Sequence, residues 1–557
     1  MLVHFGFAIV STKRTVRNSH CVIVAFVGAC EYTSASVVTS VSTREILVCV
    51  DHIGELKWTS QRADFPRLGF DTRPTAQSLV DGDTRAGLGL GGRSSSLRVE
   101  ARSMRIPPPR LCKDRIVGLI NLAVAENSLM TGYLMNYFKD HFSLRPLDFT
   151  YGDSLAGNLR LRTSLAQLFN GYFKPFKPVS ADELMAGGGL LPIIGQLGRA
   201  LVDPGNAILI ARPYYHGFDM ALGALDNIKV QGAHVPLHEA FTTKELDHLE
   251  LALHEAGTKV QAVFLVNPQN PYGRCYPKEV LEAYCRFCEQ HDLHLVSDEI
   301  YALSTFCSRD VPTPQPFISI LSLDLDSLGV KESRVHMLYG MSKDFDANGF
   351  RAGVLHTRNR TLYQSLLATS IFSIVSSPTA ELWNSLLSDE RGLEAYIEAN
   401  RAALVEAYEH ITEWLRFHDI PYIPSSAGHF LMVNFRPLLS QDSMGRVLGY
   451  ENDAGMAARE TALLSYLSRP PCRVVLAPGS GMHMFEPGWF RLTFSISRGV
   501  MDIALGKIER ALGWKRWSKP SSQADTVDVA SQVDWSKLSS RADTVDTASG
   551  VKGNPLN

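Results

Sequence analysis

Residues 261–301 read QAVFLVNPQNPYGRCYPKEVLEAYCRFCEQHDLHLVSDEIY, and this stretch decides the architecture. Its apolar runs QAVFLV (261–266) and LHLVS (293–297) are short, bounded by turn residues, and read as buried strands. From Pro277 to His291, Leu281, Tyr284, Cys285 and Cys288 fall at i, i+3, i+4 and i+7, which predicts one apolar helix face with proline near its start. Strand, helix and strand in that order predict a parallel sheet. NAILIA (206–211) and RVHMLY (334–339) extend the pattern on either side. Such sheets collect ligands at the carboxyl ends of their strands, so chemistry is expected in the loops after residues 211, 266, 297 and 339.

Those loops carry a consistent set of side chains. NPQNPYG (267–273) has two X-Pro steps and a glycine, an irregular turn that aims the short amide of Asn270 at a site. Asp298 leaves LHLVS with Tyr301 three residues on; a buried carboxylate there needs a cationic partner, such as a protonated pyridine, unless it merely caps the next helix. RVHMLY runs into YGMSKDF and places Lys343 at a strand terminus, with Arg351 eight residues later in GFRAG. A partly desolvated lysine sheds its proton and can form a Schiff base with an aldehyde. Any one of these residues has a structural alternative. The recurrence of Asn, Asp, Tyr, Lys and Arg at strand ends is what points to chemistry.

With these motifs in hand, the chain resembles the fold-type I aminotransferases that use pyridoxal phosphate (PLP), most closely the branch of 1-aminocyclopropane-1-carboxylate (ACC) synthase and its fungal relatives. The likeness runs from about 115 to 515 through LAVAEN (122–127), Tyr151, ARPYYHGFD (211–219), NPQNPYG, SDEIY (297–301), YGMSKDF with GFRAG, SSAGHF (425–430) and EPGWFRLTF (486–494). It implies an α/β architecture with a large domain, residues 151–385, built on a mostly parallel seven-stranded sheet between helices. A smaller α+β domain would comprise 386–515, with 111–150 as its N-terminal segment.

The resemblance also implies roles. Lys343 would hold the cofactor and serve as base, and Asp298 would keep the pyridine nitrogen protonated, the charge that makes the ring an electron sink. Tyr301 and Asn270 would hydrogen-bond the ring's phenolic oxygen, and Tyr215 would stack on its face. Ser342 and Arg351 would hold the phosphate, with Gly189, Leu190 and Leu191 in the loop beside it. Arg491 would fork the substrate carboxylate, near Ala125 and Glu126. Tyr151 would reach the site of a second subunit, so a homodimer is implied. Three departures stand out. AGGGLLPIIGQ (186–196) has Leu190 and Leu191 where a phosphate-binding hydroxyl is expected, with a helix start near Pro192; Gly340 replaces a Ser found in some members; Asp346 replaces a small or apolar residue. These weaken the phosphate cup rather than the reacting centre.

Transamination between an amino acid and a 2-oxo acid is the first reading. ACC synthase-like or carbon–sulfur elimination is the second, and a non-catalytic scaffold the third. His429 and His483 lie in matched segments where either could touch substrate. Cys285 and Cys288 form a CxxC on an apolar face, read as packing, and Pro236 between His234 and His238 spoils a helical metal pair, so no metal is expected.

The 557 residues carry 55 Lys plus Arg against 57 Asp plus Glu, so no basic field favours nucleic acid or an anionic membrane. No apolar run reaches the roughly 18 residues of a membrane span. Nine cysteines without framework spacing suggest a reducing compartment, and the expected location is cytoplasmic. The acid-poor first 50 residues, with Lys13, Arg14 and Arg17, suit either an organelle-targeting segment or an unrelated extension without sustained periodicity. Residues 71–110 read as a linker closing a 1–110 extension, and its Gly87, Gly89 and Gly92 match a dinucleotide pattern only by composition. WSKPSSQADTVDVAS from Trp517 recurs as WSKLSSRADTVDTAS from Trp535, so 516–557 reads as a disordered repeat tail.

Overall fold

The computed structural model describes residues 118–451 and 453–518, together with six strand segments nearer the N terminus. Residues 1–101 form a unit of their own, in which Phe7–Val16 pairs antiparallel with Ser19–Gly28 and Ser36–Val41 with Arg44–Cys49. The sequence shows no sustained strand periodicity there; richness in Val, Ile and Thr, which suit a pleated backbone, is the signal that went unused. The linker at 71–110, with its glycine pattern, and the repeat tail beyond 518 lie outside the described residues.

The second unit, from Arg102 onward, is built on a seven-stranded sheet. Its strands are β1 (Leu184–Gly187), β2 (Ala207–Arg212), β3 (Lys229–His234), β4 (Val260–Val266), β5 (His294–Asp298), β6 (Val335–Gly340) and β7 (Gly353–Thr357), in the order β3-β2-β4-β5-β6-β7-β1. All neighbours are parallel except where β7 runs against β6 and β1. The four strands read from the sequence, β2, β4, β5 and β6, each lie within one residue of the expected bounds.

Alternate side chains of these strands feed two cores. Leu209, Val263, Leu265, Leu295 and Met337 enter one, and Ile208, Ile210, Phe264, Val296 and Leu338 enter the other. Both faces are therefore covered, which explains the near-continuous apolar runs of a parallel sheet. Each fully buried Leu, Ile or Phe contributes about 1.5–3 kcal/mol. Helix α1 (Leu190–Leu201) covers the second face. The helix anticipated between Pro277 and His291 is Lys278–Gln290 with Pro277 as its N-cap, and it buries Leu281, Tyr284, Cys285 and Cys288 in the first core.

A four-stranded antiparallel sheet follows in the order β8-β9-β11-β10, from β8 (Tyr422–Ile423), β9 (Phe430–Asn434), β10 (Ala477–Pro478) and β11 (Trp489–Thr493). Its core takes Tyr408, Ile411 and Trp414 from the long helix α2 (Glu390–Phe417), whose first turns instead give Leu393 and Tyr396 to the large sheet's core. One continuous helix thus joins the two layers. The N-terminal segment does the same: Ile120 and Leu122 belong to the small sheet's core and Met130 and Leu134 to the large one, so residues 123–129 cross between them.

Candidate active site

The carboxyl ends of β4, β5 and β6 open onto three turns. In the first, Asn267 donates to the Ile318 carbonyl at 2.9 Å and Gln269 to the Pro213 carbonyl at 2.8 Å, so these amides hold the turn together. Asn270 is different. Its Oδ1 accepts from Arg491 Nη1 at 2.8 Å, across to the small sheet.

Arg491 sits in mid-strand on β11, opposite Met432 of β9. It is buried; Nη2 donates to the Ala123 carbonyl at 2.6 Å, the guanidinium lies 4.7 Å over the Phe430 ring, and Nε has no hydrogen-bond partner among the described residues. No carboxylate pairs with it there. Among the described residues its acceptors are neutral oxygens, and a buried guanidinium so held is free to pair with an anion in fork geometry.

Asp298 ends β5, buried, with the Ile300 N–H donating to its Oδ1 at 3.2 Å. Burial pushes its carboxyl up to about 7, against the pull of the Lys343 charge. Lys343 lies in the turn just past β6, and its Nζ donates to the Ala125 carbonyl at 2.6 Å. Burial, then the Arg491 charge, brings its amine down to about 8. Ala125, whose carbonyl accepts from Lys343, packs in one cluster with Ile300, whose N–H donates to Asp298, so the amine and the acid lie close together.

Tyr301 is buried, with its ring edge-on to His429 and Phe430 at 5.3 and 5.4 Å. Burial raises its phenol, with Arg491 opposing and Tyr215, Asp298 and Asp344 adding. The Tyr215 phenol is likewise raised, mainly by burial, and it senses Arg491, Asp298 and Arg351. Tyr301, Phe430, Ala125 and Ile300 pack as one cluster, and the Arg491 guanidinium lies over its Phe430 ring.

A glycine and an arginine meet at the start of α1. Arg351, at φ 57°, donates from Nη1 to the Asn348 carbonyl at 2.7 Å. Gly189, at φ 101°, an angle that favours glycine, caps α1, and a Cβ there would stand 2.4 Å from Arg351 Nη2 and push the guanidinium from its place. Helix α1 begins at Leu190, two residues before the anticipated start near Pro192. Leu190 and Leu191 therefore supply first-turn N–H groups at the positive end of the helix. The Leu190 side chain packs with Ala125, Ile300, Tyr301 and Phe430, an apolar contact where a hydroxyl was looked for.

Ser342 is half-buried beside Lys343. Glu126 is exposed and accepts from Asn348 Nδ2 at 2.7 Å, while Ala125 is buried. Asp346, at φ 48°, accepts from Thr131 Oγ1 at 2.6 Å, and burial raises its carboxyl to about 7. Tyr151 stands apart on the surface, 81% exposed. Of the two histidines, His429 touches Tyr301, whereas His483 pairs with Asp219 at 2.7 Å and stacks on Tyr214. Asp344 and Ser304 went unnoticed in the sequence, although an acid directly after the lysine was visible. Among the described residues no group of His, Cys, Asp or Glu forms a metal site.

The arrangement fits PLP on three counts: an unpaired buried acid for a protonated ring nitrogen, a glycine cradle with Arg351 for a phosphate, and a lowered amine for an aldehyde. The family model for aminotransferase class I and II matches residues 119–508. This chain belongs to that aminotransferase family. The aminotransferase is 32% identical over 434 residues to the probable aminotransferase aclI of Aspergillus oryzae, covering 77% of this chain and 99% of that protein. It is 32% identical over 416 residues to 1-aminocyclopropane-1-carboxylate synthase 4 of Oryza sativa subsp. japonica, covering 71% and 82%. Its fold matches the aromatic aminotransferase of Pyrococcus horikoshii OT3 with a TM-score of 0.56 at 19% identity, over 71% of this chain and 96% of that one. It also matches Thermus thermophilus aspartate aminotransferase with maleate, with a TM-score of 0.54 at 19% identity, over 71% and 92%. The aminotransferase is thus a PLP-dependent transferase of fold type I, related to the ACC synthases.

Proposed function

We propose that this aminotransferase moves the amino group of an α-amino acid to a 2-oxo acid in the pocket between Lys343, Asp298 and Arg491. The supporting observation is the lowered, half-buried amine of Lys343 within the field of both a buried acid and a buried guanidinium that has no ion pair among the described residues. When bound, PLP supplies an aldehyde that condenses with amines and a cationic ring that takes up the electron pair left at the substrate Cα.

The chain's own residues do the rest. Asp298, lifted to about 7 by burial, would hold a cofactor's ring nitrogen protonated, a positive partner that favours its own ionised form. Tyr301 and Asn270 would donate to the ring's phenolic oxygen, and Tyr215 would pack against the ring. Arg351, Ser342 and the first-turn N–H groups of α1 after Gly189 would take the phosphate. Arg491 receives the substrate carboxylate in place of the neutral oxygens it now holds, which orients the Cα–H bond toward Lys343. The neutral amine of Lys343 then removes that proton and returns it elsewhere, a general-base role suited to a group titrating near 8.

A homodimer completes the reading. Phe149, Tyr151 and Phe372 are 78%, 81% and 87% exposed, a set of large apolar side chains that a second copy would cover, bringing Tyr151 to the partner's pocket. The ACC synthase relatives keep elimination as the second reading. A screen of amino acids against 2-oxo acid acceptors tests the choice: a new amino acid paired with a new oxo acid supports transfer. Release of methylthioadenosine from S-adenosylmethionine, with no amino transfer, overturns it.

A further inference from the structure

Behind the Tyr301 ring runs a buried chain of polar groups. Ser304 Oγ donates to Asp344 Oδ1 at 2.5 Å, and its lone pairs face His429 Nε2 at 3.1 Å. With the serine proton spent on the carboxylate, His429 must donate from Nε2, which fixes the Nε2–H tautomer. Its Nδ1 is buried and has no hydrogen-bond partner among the described residues. Asp344 also accepts from the Leu303 N–H and the Tyr339 hydroxyl, each at 2.9 Å, and its carbonyl accepts from the Tyr396 hydroxyl at 3.0 Å.

Each member sits on a different site-bearing segment. Asp344 follows Lys343 directly, Ser304 lies in the turn that begins with Tyr301, and His429 adjoins β9, the partner of the strand carrying Arg491. We propose that His429, Ser304 and Asp344 form a positioning relay in which a permanently neutral imidazole orients Ser304 onto Asp344 and so holds the Lys343 turn and the Tyr301 ring in register between the two sheets. The relay rests on the reading of Lys343 and Tyr301 as site residues.

The charges around it support a neutral ring. His429 faces Lys343, Arg491 and the Tyr301 phenol; burial, then the Lys343 and Arg491 charges, holds it down at about 3. Asp344 faces Ser304, Tyr339, Tyr301, Tyr396 and Arg401, and burial lifts it to about 6 against its donors. Loss of the imidazole donor weakens Ser304 as a donor in turn, which disfavours the Asp344 anion and raises its pKa further.

Two measurements test this. In ¹⁵N-histidine-labelled protein without cofactor, the His429 ring, assigned by its loss in His429→Gln, should stay singly protonated from pH 8 to pH 5, with the proton on Nε2 wherever Asp344 is ionised, above about pH 6. Proton uptake in that range, or an Nδ1–H ring where Asp344 is ionised, overturns the relay whatever the enzyme's reaction. In the PLP-loaded enzyme, His429→Phe and Ser304→Ala should each move the acid limb of the kcat profile upward by about half a pH unit, while His429→Gln, whose amide can still donate, keeps the original limb. A limb unmoved in Ser304→Ala, or moved equally by Gln and Phe, means that His429 only fills space. If His429→Phe does not fold, Ser304→Ala and the ring nitrogens still decide.

Discussion

Arg491, in mid-strand on the small sheet, donates a 2.8 Å hydrogen bond to Asn270, in the turn that leaves the large sheet. The group read as the substrate's carboxylate anchor is thereby tied to a group read as a cofactor contact. Substrate binding at Arg491 can therefore be felt at Asn270. Arg491→Lys keeps the charge but loses the fork, so KM for the amino acid should rise about 10- to 100-fold with a smaller change in kcat. Steady-state kinetics check this; an unchanged KM would remove Arg491 from the substrate site.

A lysine whose amine titrates near 8 instead of 10.5 costs stability wherever it is still charged in the fold. Between these values the unfolded chain binds more protons than the folded one, so stability rises with pH there. Lys343→Met removes the cost. The cofactor-free variant should be more stable than the parent by about 2–3 kcal/mol at pH 7, with the gap closing as pH approaches 10.5. Denaturant unfolding at several pH values measures it, and a gap that does not depend on pH contradicts the assignment.

Asp298→Asn leaves the shape of the site but removes the anion expected to hold the ring nitrogen protonated. Turnover should fall about 100-fold or more while the PLP-binding lysine remains able to react. Retention of full turnover would detach Asp298 from the cofactor.

Leu190 offers its N–H at the start of α1 but an apolar side chain toward Ala125 and Tyr301. Leu190→Ser adds a hydroxyl donor to the anion cradle, so Kd for PLP should fall about 5-fold, the size of one net hydrogen bond. Equilibrium dialysis reads the change; weaker binding would show that packing outweighs the added donor.

The central strands were legible because burial on both faces leaves continuous apolar runs, and Asp298, Asn270 and Lys343 stood out because they fall at or just beyond strand ends. The outer strands were not. β1 is four residues, LMAG; β3, KVQGAH, is half-exposed; β7 carries His356, buried but hydrogen-bonded toward Glu183. Arg491 is invisible to strand-end reasoning, since it reaches the site from the middle of a strand in a second sheet, and its role came from the family likeness. The early start of α1 was hidden by Pro192, near which the helix was expected to begin and which stands third in it. Ser304 and Asp344 gave no pattern, because three-way hydrogen bonding among separate turns leaves no period in the chain.

Lys343, and no other lysine, should capture the cofactor aldehyde. Purified protein mixed with PLP, reduced with borohydride and digested should yield a single phosphopyridoxyl-modified peptide, the one containing Lys343, and Lys343→Met should yield none. Label on another lysine, or no label on the parent protein, would contradict it.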